Sequence, residues 1–418
     1  MTESETAGDV GARFSTAENE RARKVLPGGF GRSTFAGAGA WSPYVASGAG
    51  PFVTDSEGRE LVDYNNNFTT LVHGNAHPAI VAAAQEAMRS GASFGLPHAS
   101  ELEHAEELLG RFPAFDLVRY ANSGSEAVSL ALRVARAATG RDRVVFVRSA
   151  YHGTGDVALV SGGPAYLRGI PDAISGDVSL AELNEIASFL EATDPAKGEL
   201  AAVVVDLLPN RAGLRRLSKE FAAAVEERCR ELGALLIVDE VISFRLNHGG
   251  FHSEYGLDPD LVTLGKLIGG GSPIGAVVGK GAVMEELDPR RPGGLEHGGT
   301  FTGNPVSMAA GRASLELLDA DAVERINGLG DMARERLAKR IAPLGWEVRG
   351  QGSLLRPFPL DASPDETSEL QRRLWWAAYG RDVLLIQSGF MCVSTAMDES
   401  LVADSIDRVA DSVEEVSA

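Results

Sequence analysis

Short apolar runs recur through the middle of the chain, each followed by a polar or amphipathic stretch. They are Val144-Val-Phe-Val147, Ala201-Ala-Val-Val-Val-Asp-Leu-Leu208, Leu235-Leu-Ile-Val238 and Leu261-Val-Thr-Leu264. Strands apolar along their whole length are covered on both faces, and parallel neighbours need helical crossovers between them. Residues 219–232 (KEFAAAVEERCREL) supply one, placing Val225, Cys229 and Leu232 on one helical face and stopping at Gly233. The pattern predicts an α/β fold around a buried, mostly parallel sheet. At 418 residues the chain exceeds one ordinary domain. We divide it into an N-terminal segment 1–64, a large α/β domain 65–310 and a small C-terminal domain 311–418, the small domain drawing on both chain ends.

The flanks follow other rules. The first dozen residues have the composition of a solvated leader, and 13–25 predict a polar helix broken by Pro27-Gly-Gly29. Residues 41–64 alternate extended pieces with turns, and Asp55-Ser-Glu-Gly58 is the expected hairpin tip. Helices are expected after Pro78, over 101–112, over 125–139 and over 399–416, the last a solvated acidic face.

Composition excludes several classes. A net charge of −19 repels phosphate backbones, so nucleic acid is not an expected partner. No apolar run reaches the roughly 20 residues of a membrane span, and the acidic start lacks signal-peptide features. Two cysteines, Cys229 and Cys392, support neither a disulfide framework nor a thiolate zinc site. His73, His77, His98 and His104 lack metal-ligand spacing, so no metal is expected and they are read as solvated or capping residues. These features predict a cytoplasmic enzyme.

Four motifs carry chemistry. Lys266, one of only six lysines, ends the run 261–265 and precedes Gly269-Gly-Gly271. It is either a lysine snorkelling to water or a desolvated amine able to form a Schiff base. Asp239 ends the strand before it, at the sheet edge where ligands bind in open parallel sheets. It is either a strand-end turn residue or a carboxylate that keeps a pyridine nitrogen protonated. Ser123-Gly124-Ser125 opens the helix 125–139, as an ordinary cap or as an anion site at the positive end of the helix dipole. Tyr151-His152 follows the strand 144–147, and Tyr151 is placed to stack on a planar ring unless it is simply a surface tyrosine.

In this order the motifs resemble the class III, fold-type-I pyridoxal-phosphate (PLP) aminotransferases, near the glutamate-1-semialdehyde aminomutases and the β-phenylalanine-type aminotransferases. The resemblance runs from about Pro27 to the C-terminus. It implies that Lys266 is the Schiff-base lysine and proton shuttle, and that Asp239 pairs with the pyridine nitrogen. Ser123, Gly124 and Ser125 hold the phosphate in this family, Tyr151 and Val241 pack the two faces of the ring, and His152 belongs to the same set. Thr300, in Gly299-Thr-Phe-Thr-Gly-Asn-Pro305, reaches the phosphate of a neighbouring subunit, which implies a homodimer with shared sites. Arg32, in Pro27-Gly-Gly-Phe-Gly-Arg32, grips a substrate carboxylate in such relatives.

Two departures bear on the reaction. Asp206-Leu207 stands where many members have Glu-Pro, followed by Pro209-Asn-Arg211, so Arg211 is a second candidate substrate handle. Ser388-Gly-Phe-Met391 replaces a mutase-type Ser-Ala-Phe-Glu. Arg245-Leu246 and Asp288–Pro292 lean to the β-phenylalanine branch, whereas Ser93–Pro97 leans to the mutases. We therefore expect an aminotransferase joining a small-molecule amino donor, an amino acid (β-amino acids included) or an amine, to an oxo acid or carbonyl acceptor by ping-pong exchange. An aminomutase is the runner-up, and a non-catalytic PLP-binding regulator is the rival from another class.

Overall fold

The computed structural model describes residues 16–38, 42–163 and 166–418, so the expected leader lies outside the described residues. The chain gathers into two compact units, one running up to His77 and resuming at Arg325–Ala418, the other Pro78–Glu324. These seams stand a little beyond the 64/65 and 310/311 divisions drawn from sequence, for local reasons. Residues 65–77 are tied to the first unit, where Asn66 Nδ2 donates to the carbonyl of Cys392 and Asn75 bridges to Gly50. The helix at 305–317 packs on two helices of the second unit.

In the first unit, β1 (Val45–Ala49), β2 (Phe52–Asp55) and β3 (Glu60–Asp63) form an antiparallel meander whose β2–β3 turn is the expected tip. In the second unit, α1 (Pro78–Ser90), α2 (Ala99–Leu109), β4 (Leu117–Ala121), α3 (Gly124–Thr139) and β5 (Arg143–Val147) come first. Then follow β6 (Val178–Ala181), β7 (Leu200–Val205), α4 (Lys219–Leu232), β8 (Leu235–Asp239), β9 (Leu261–Gly265), β10 (Gly275–Gly279) and α5 (Pro305–Leu317). Their seven strands lie in the order β4-β10-β9-β8-β7-β5-β6, and only β10 runs against the rest. The reason is connection length. A parallel return needs a dozen or more residues, and only residues 266–274 join β9 to β10, so the chain turns back antiparallel. Lys266 sits in that tight return. β5, β7 and β9 are buried along their whole length, as their apolar runs require.

The first unit is completed by β11 (Trp346–Gln351), β12 (Leu354–Pro359), α6 (Pro364–Tyr379), β13 (Val383–Leu384), β14 (Met391–Cys392) and α7 (Glu399–Ser417). Ser363 and Glu366 close a capping box at the start of α6. The expected acidic face of α7 is only one side of it. Val402, Ile406, Val409, Val413 and Val416, spaced three or four apart, enter a core with Tyr64, Trp346 and Trp376. Its Asp407 and Asp411 pair with Arg336 and Arg340.

Candidate active site

Lys266 opens a 3₁₀ turn at Lys266–Gly269 with φ of +52°. A non-glycine residue there costs on the order of 1 kcal/mol, so its surroundings must hold it. They do so through the next two carbonyls: Ile268 O lies 2.7 Å from His104 Nε2, and Leu267 O accepts from Ser314 Oγ at 3.2 Å. Because a carbonyl only accepts, His104 Nε2 carries the hydrogen and Nδ1 accepts from Tyr120 Oη at 2.7 Å. Burial pushes the His104 pKa down to about 4, which keeps that tautomer neutral. The expectation of solvated or capping histidines fits His98, which caps α2, but not His104 or His73, both buried and hydrogen-bonded. Burial also pulls the Lys266 amine below its ordinary value, while Asp239 and then Asp206 oppose the shift. Among the described residues no group hydrogen-bonds to that amine.

The carboxylates stand at neighbouring strand ends. β7 and β8 pair with Val205 opposite Val238, so Asp206 and Asp239 follow side by side. Asp239 is buried; its Oδ2 lies 2.7 Å from His152 Nδ1, and its Oδ1 accepts from the Val241 amide at 3.1 Å. His152 is buried too, and its Nε2 has no hydrogen-bond partner. Asp206 accepts from the Leu208 amide at 2.9 Å, and its pKa is pushed up to about 7, first by burial and then by Asp239. Sequence reasoning singled out Asp206 as a departure but gave it no role.

Asp206 makes cofactor-free stability depend on pH. Between its ordinary 3.8 and about 7 the folded carboxyl keeps a proton that the unfolded chain has released. Its contribution is therefore full below the unfolded value and is lost as pH rises through about 7. Chemical denaturation at pH 5 and pH 8 should show a smaller loss of stability across that interval in Asp206→Asn than in the parent. Equal losses would remove Asp206 as the titrating group.

The helix α3 supplies the anion cradle. Ser123 caps it, with Oγ accepting from the Glu126 amide at 3.2 Å, which leaves the N–H groups of Gly124 and Ser125 without intrahelical acceptors. Glu126 reaches back to the Asn122 amide at 2.9 Å and tightens the loop. Gly153, at φ +97°, passes so close that a Cβ would stand 2.4 Å from Ser125 Oγ. Val241 lies over the helix start, 3.0 Å from where a Cβ at Gly124 would be. Tyr151 is 37% exposed and its ring lies 4.4 Å from the Arg211 guanidinium carbon.

The remaining candidates lie elsewhere. Thr300 is exposed and lines a concavity of about 560 Å³ with Ser93–Pro97, His98, Glu101 and Asn304, and none of Lys266, Asp239 or Tyr151 borders it. Arg32 belongs to the first unit, where it borders a cavity of about 450 Å³. It lies 4.8 Å from the Phe35 centroid and donates to Asn67 Oδ1 at 3.4 Å. Asn67 and Phe68 of that cavity's lining belong to a run the sequence reading missed, Asn66, Asn67, Phe68 and Thr69, all with positive φ. Asp63 holds the turn by accepting from the amides of Asn65 and Asn66. The run has no glycine, and its one sequence signal is the succession Asn65-Asn66-Asn67, asparagine being the side chain that best tolerates left-handed backbone.

Within the second unit the residues fit PLP. A half-buried amine lacks a hydrogen-bond partner, a buried carboxylate is oriented by His152, and a helix start offers free N–H groups beside Ser125. The comparisons with known proteins agree. The family model Aminotransferase class-III matches residues 38–413. A glutamate-1-semialdehyde 2,1-aminomutase of Desulfatibacillum aliphaticivorans is 35% identical over 362 residues, 84% of each chain. The structure of a transaminase with PLP bound superposes with a TM-score of 0.92 at 38% identity, covering 96% of this chain and 97% of that one. A β-phenylalanine aminotransferase of Variovorax paradoxus gives 0.88 at 28% identity, covering 98% and 95%.

Proposed function

Because the chain belongs to the class III aminotransferase family, we propose that the second unit holds PLP on Lys266 and moves an amino group between an amino acid or amine and a carbonyl acceptor. The activity is that of a PLP-dependent aminotransferase of fold type I. What carries the residue assignment is the convergence at one sheet edge of an amine with lowered pKa, a buried oriented carboxylate and a helix start whose Gly124 and Ser125 N–H groups have no intrahelical acceptor. When bound, PLP supplies the electron sink that stabilises negative charge at the substrate carbon.

The protein's own groups do the rest. Burial lowers the pKa of Lys266 Nζ from its ordinary value, and the amine serves as covalent anchor and as the base that carries a proton between carbons. Asp239 keeps the pyridine nitrogen protonated. His152 fixes Asp239 by donating from Nδ1, and the Val241 amide fixes the other oxygen. Gly124, Ser123 and Ser125 hold the phosphate at the α3 start, while Tyr151 and Val241 cover the two ring faces. Arg32 receives a substrate carboxylate.

We favour transamination over mutase chemistry because Met391 is fully buried in the first unit and carries no group that exchanges protons. A β-amino acid donor is supported by the likeness to the Variovorax enzyme. No helix among the described residues is long and apolar enough to cross a membrane. With both cysteines free and buried, we place the enzyme in the cytoplasm.

A homodimer is part of the proposal, with Thr300 lending its hydroxyl to the partner's phosphate. Its exposure outside the Lys266 cluster supports this. Binding and association are then linked. Cofactor affinity should weaken on dilution below the dimer dissociation constant, measured by fluorescence titration beside sedimentation. Affinity that stays constant across the transition would remove the shared site.

A further inference from the structure

The 3₁₀ turn Asn210–Ala212 follows β7 and is closed by Gly213 at φ +70°. It carries Arg211, five residues beyond Asp206 in the chain. The guanidinium carbon lies 4.4 Å from the Tyr151 ring centroid and 4.2 Å from that of Tyr166. Gly162 makes the room: a Cβ there would stand 2.8 Å from Arg211 Nη1 and 2.6 Å from Tyr166 Cδ2. Arg211 is half-buried, and among the described residues no carboxylate or carbonyl accepts a hydrogen bond from it. Arg32, by contrast, already donates to Asn67 Oδ1.

Two stacked rings cover the faces of a guanidinium and leave its N–H edge as the reactive side. That edge matches two coplanar oxygens, the geometry of a carboxylate. In a chain of net charge −19, an arginine with no acidic partner marks a place where a negative ligand completes the pairing. We infer that Arg211, clamped between Tyr151 and Tyr166, is the carboxylate receptor of the Lys266-bearing unit and sets its preference for acidic substrates. This rests on the aminotransferase reading, because Tyr151 is also the ring proposed to stack on the cofactor. Substrate charge at Arg211 is thereby coupled to the ring beside the reacting centre.

The test uses inert ligands. Glutarate and glutaramide are titrated calorimetrically into cofactor-loaded protein, parent and Arg211→Gln, with cofactor absorbance confirming a loaded site. The parent should bind glutarate and favour it over the diamide, and Arg211→Gln should weaken glutarate by at least about tenfold, as loss of a charge-assisted hydrogen bond does. Arg211→Lys, which keeps the charge and loses the fork, should fall between the two. Tyr166→Ala keeps the guanidinium and removes one wall, and it should weaken glutarate at least about threefold, so it carries the test if Arg211→Gln does not fold. Affinity within twofold of the parent in Arg211→Gln or Tyr166→Ala, or equal parental affinity for acid and diamide, overturns the inference. These binding readouts separate its failure from that of the aminotransferase reading, which falls only if no amino donor is turned over.

Discussion

Replacing Lys266 by alanine should abolish turnover while the protein stays folded and still takes up PLP without a covalent bond. Loss of the proton-transferring base alone costs about 10²–10⁴-fold, and loss of the anchoring amine adds to it. The fold should survive, because removing Lys266 deletes a desolvated charge and no hydrogen bond, while His104 and Ser314 still hold the turn through Ile268 and Leu267. Borohydride treatment followed by peptide mapping gives the check. In the parent the cofactor should be fixed on the peptide containing Lys266, and in the variant nowhere. Fixation that persists in Lys266→Ala would show that another lysine is the anchor.

Asp239→Asn should be nearly as damaging, by a different route. The amide keeps the size of the side chain and loses the negative charge, so the pyridine nitrogen loses the partner that keeps it protonated. Removing a preorganised electrostatic contact of this kind costs roughly 3–4 kcal/mol, or about 10²–10³ in rate. His152 Nδ1 can donate to the amide oxygen as it does to the carboxylate, so geometry changes less than charge. Single-turnover rates with a fixed amino donor measure the effect. A rate within threefold of the parent would end the proposed role of Asp239.

The parts of this architecture that were legible in the chain are those that burial writes into composition. β5, β7, β8 and β9 are apolar because helices cover both faces of the sheet, and their runs were found. β4 (LVRYA) and β6 (VSLA) mix polar residues at half-buried positions, and β10 is flanked by glycines, so none stood out. Lys266 and Asp239 could be read as neighbours from the sequence because each follows or ends one of two adjacent strands, which pair with Asp239 opposite Thr263. Contacts made by loop paths left no such trace. The His152–Asp239 bond joins residues 87 apart, and the layering of Arg211 between Tyr151 and Tyr166 depends on Gly162 clearing space. His104 was passed over because its work, holding the turn after Lys266, spans 164 residues of sequence.

In transamination, nitrogen leaves its donor and waits in the site for a second substrate. Cofactor-loaded protein incubated with a nitrogen-15-labelled amino donor, and no acceptor, tests this by mass spectrometry of the released products and of the protein-bound fraction. The account predicts one equivalent of oxo product per site, loss of the cofactor's original visible absorbance, and the label retained with the protein until a carbonyl acceptor is added. Label found wholly in an isomer of the donor, with no oxo product released, would contradict it and establish an intramolecular amino shift.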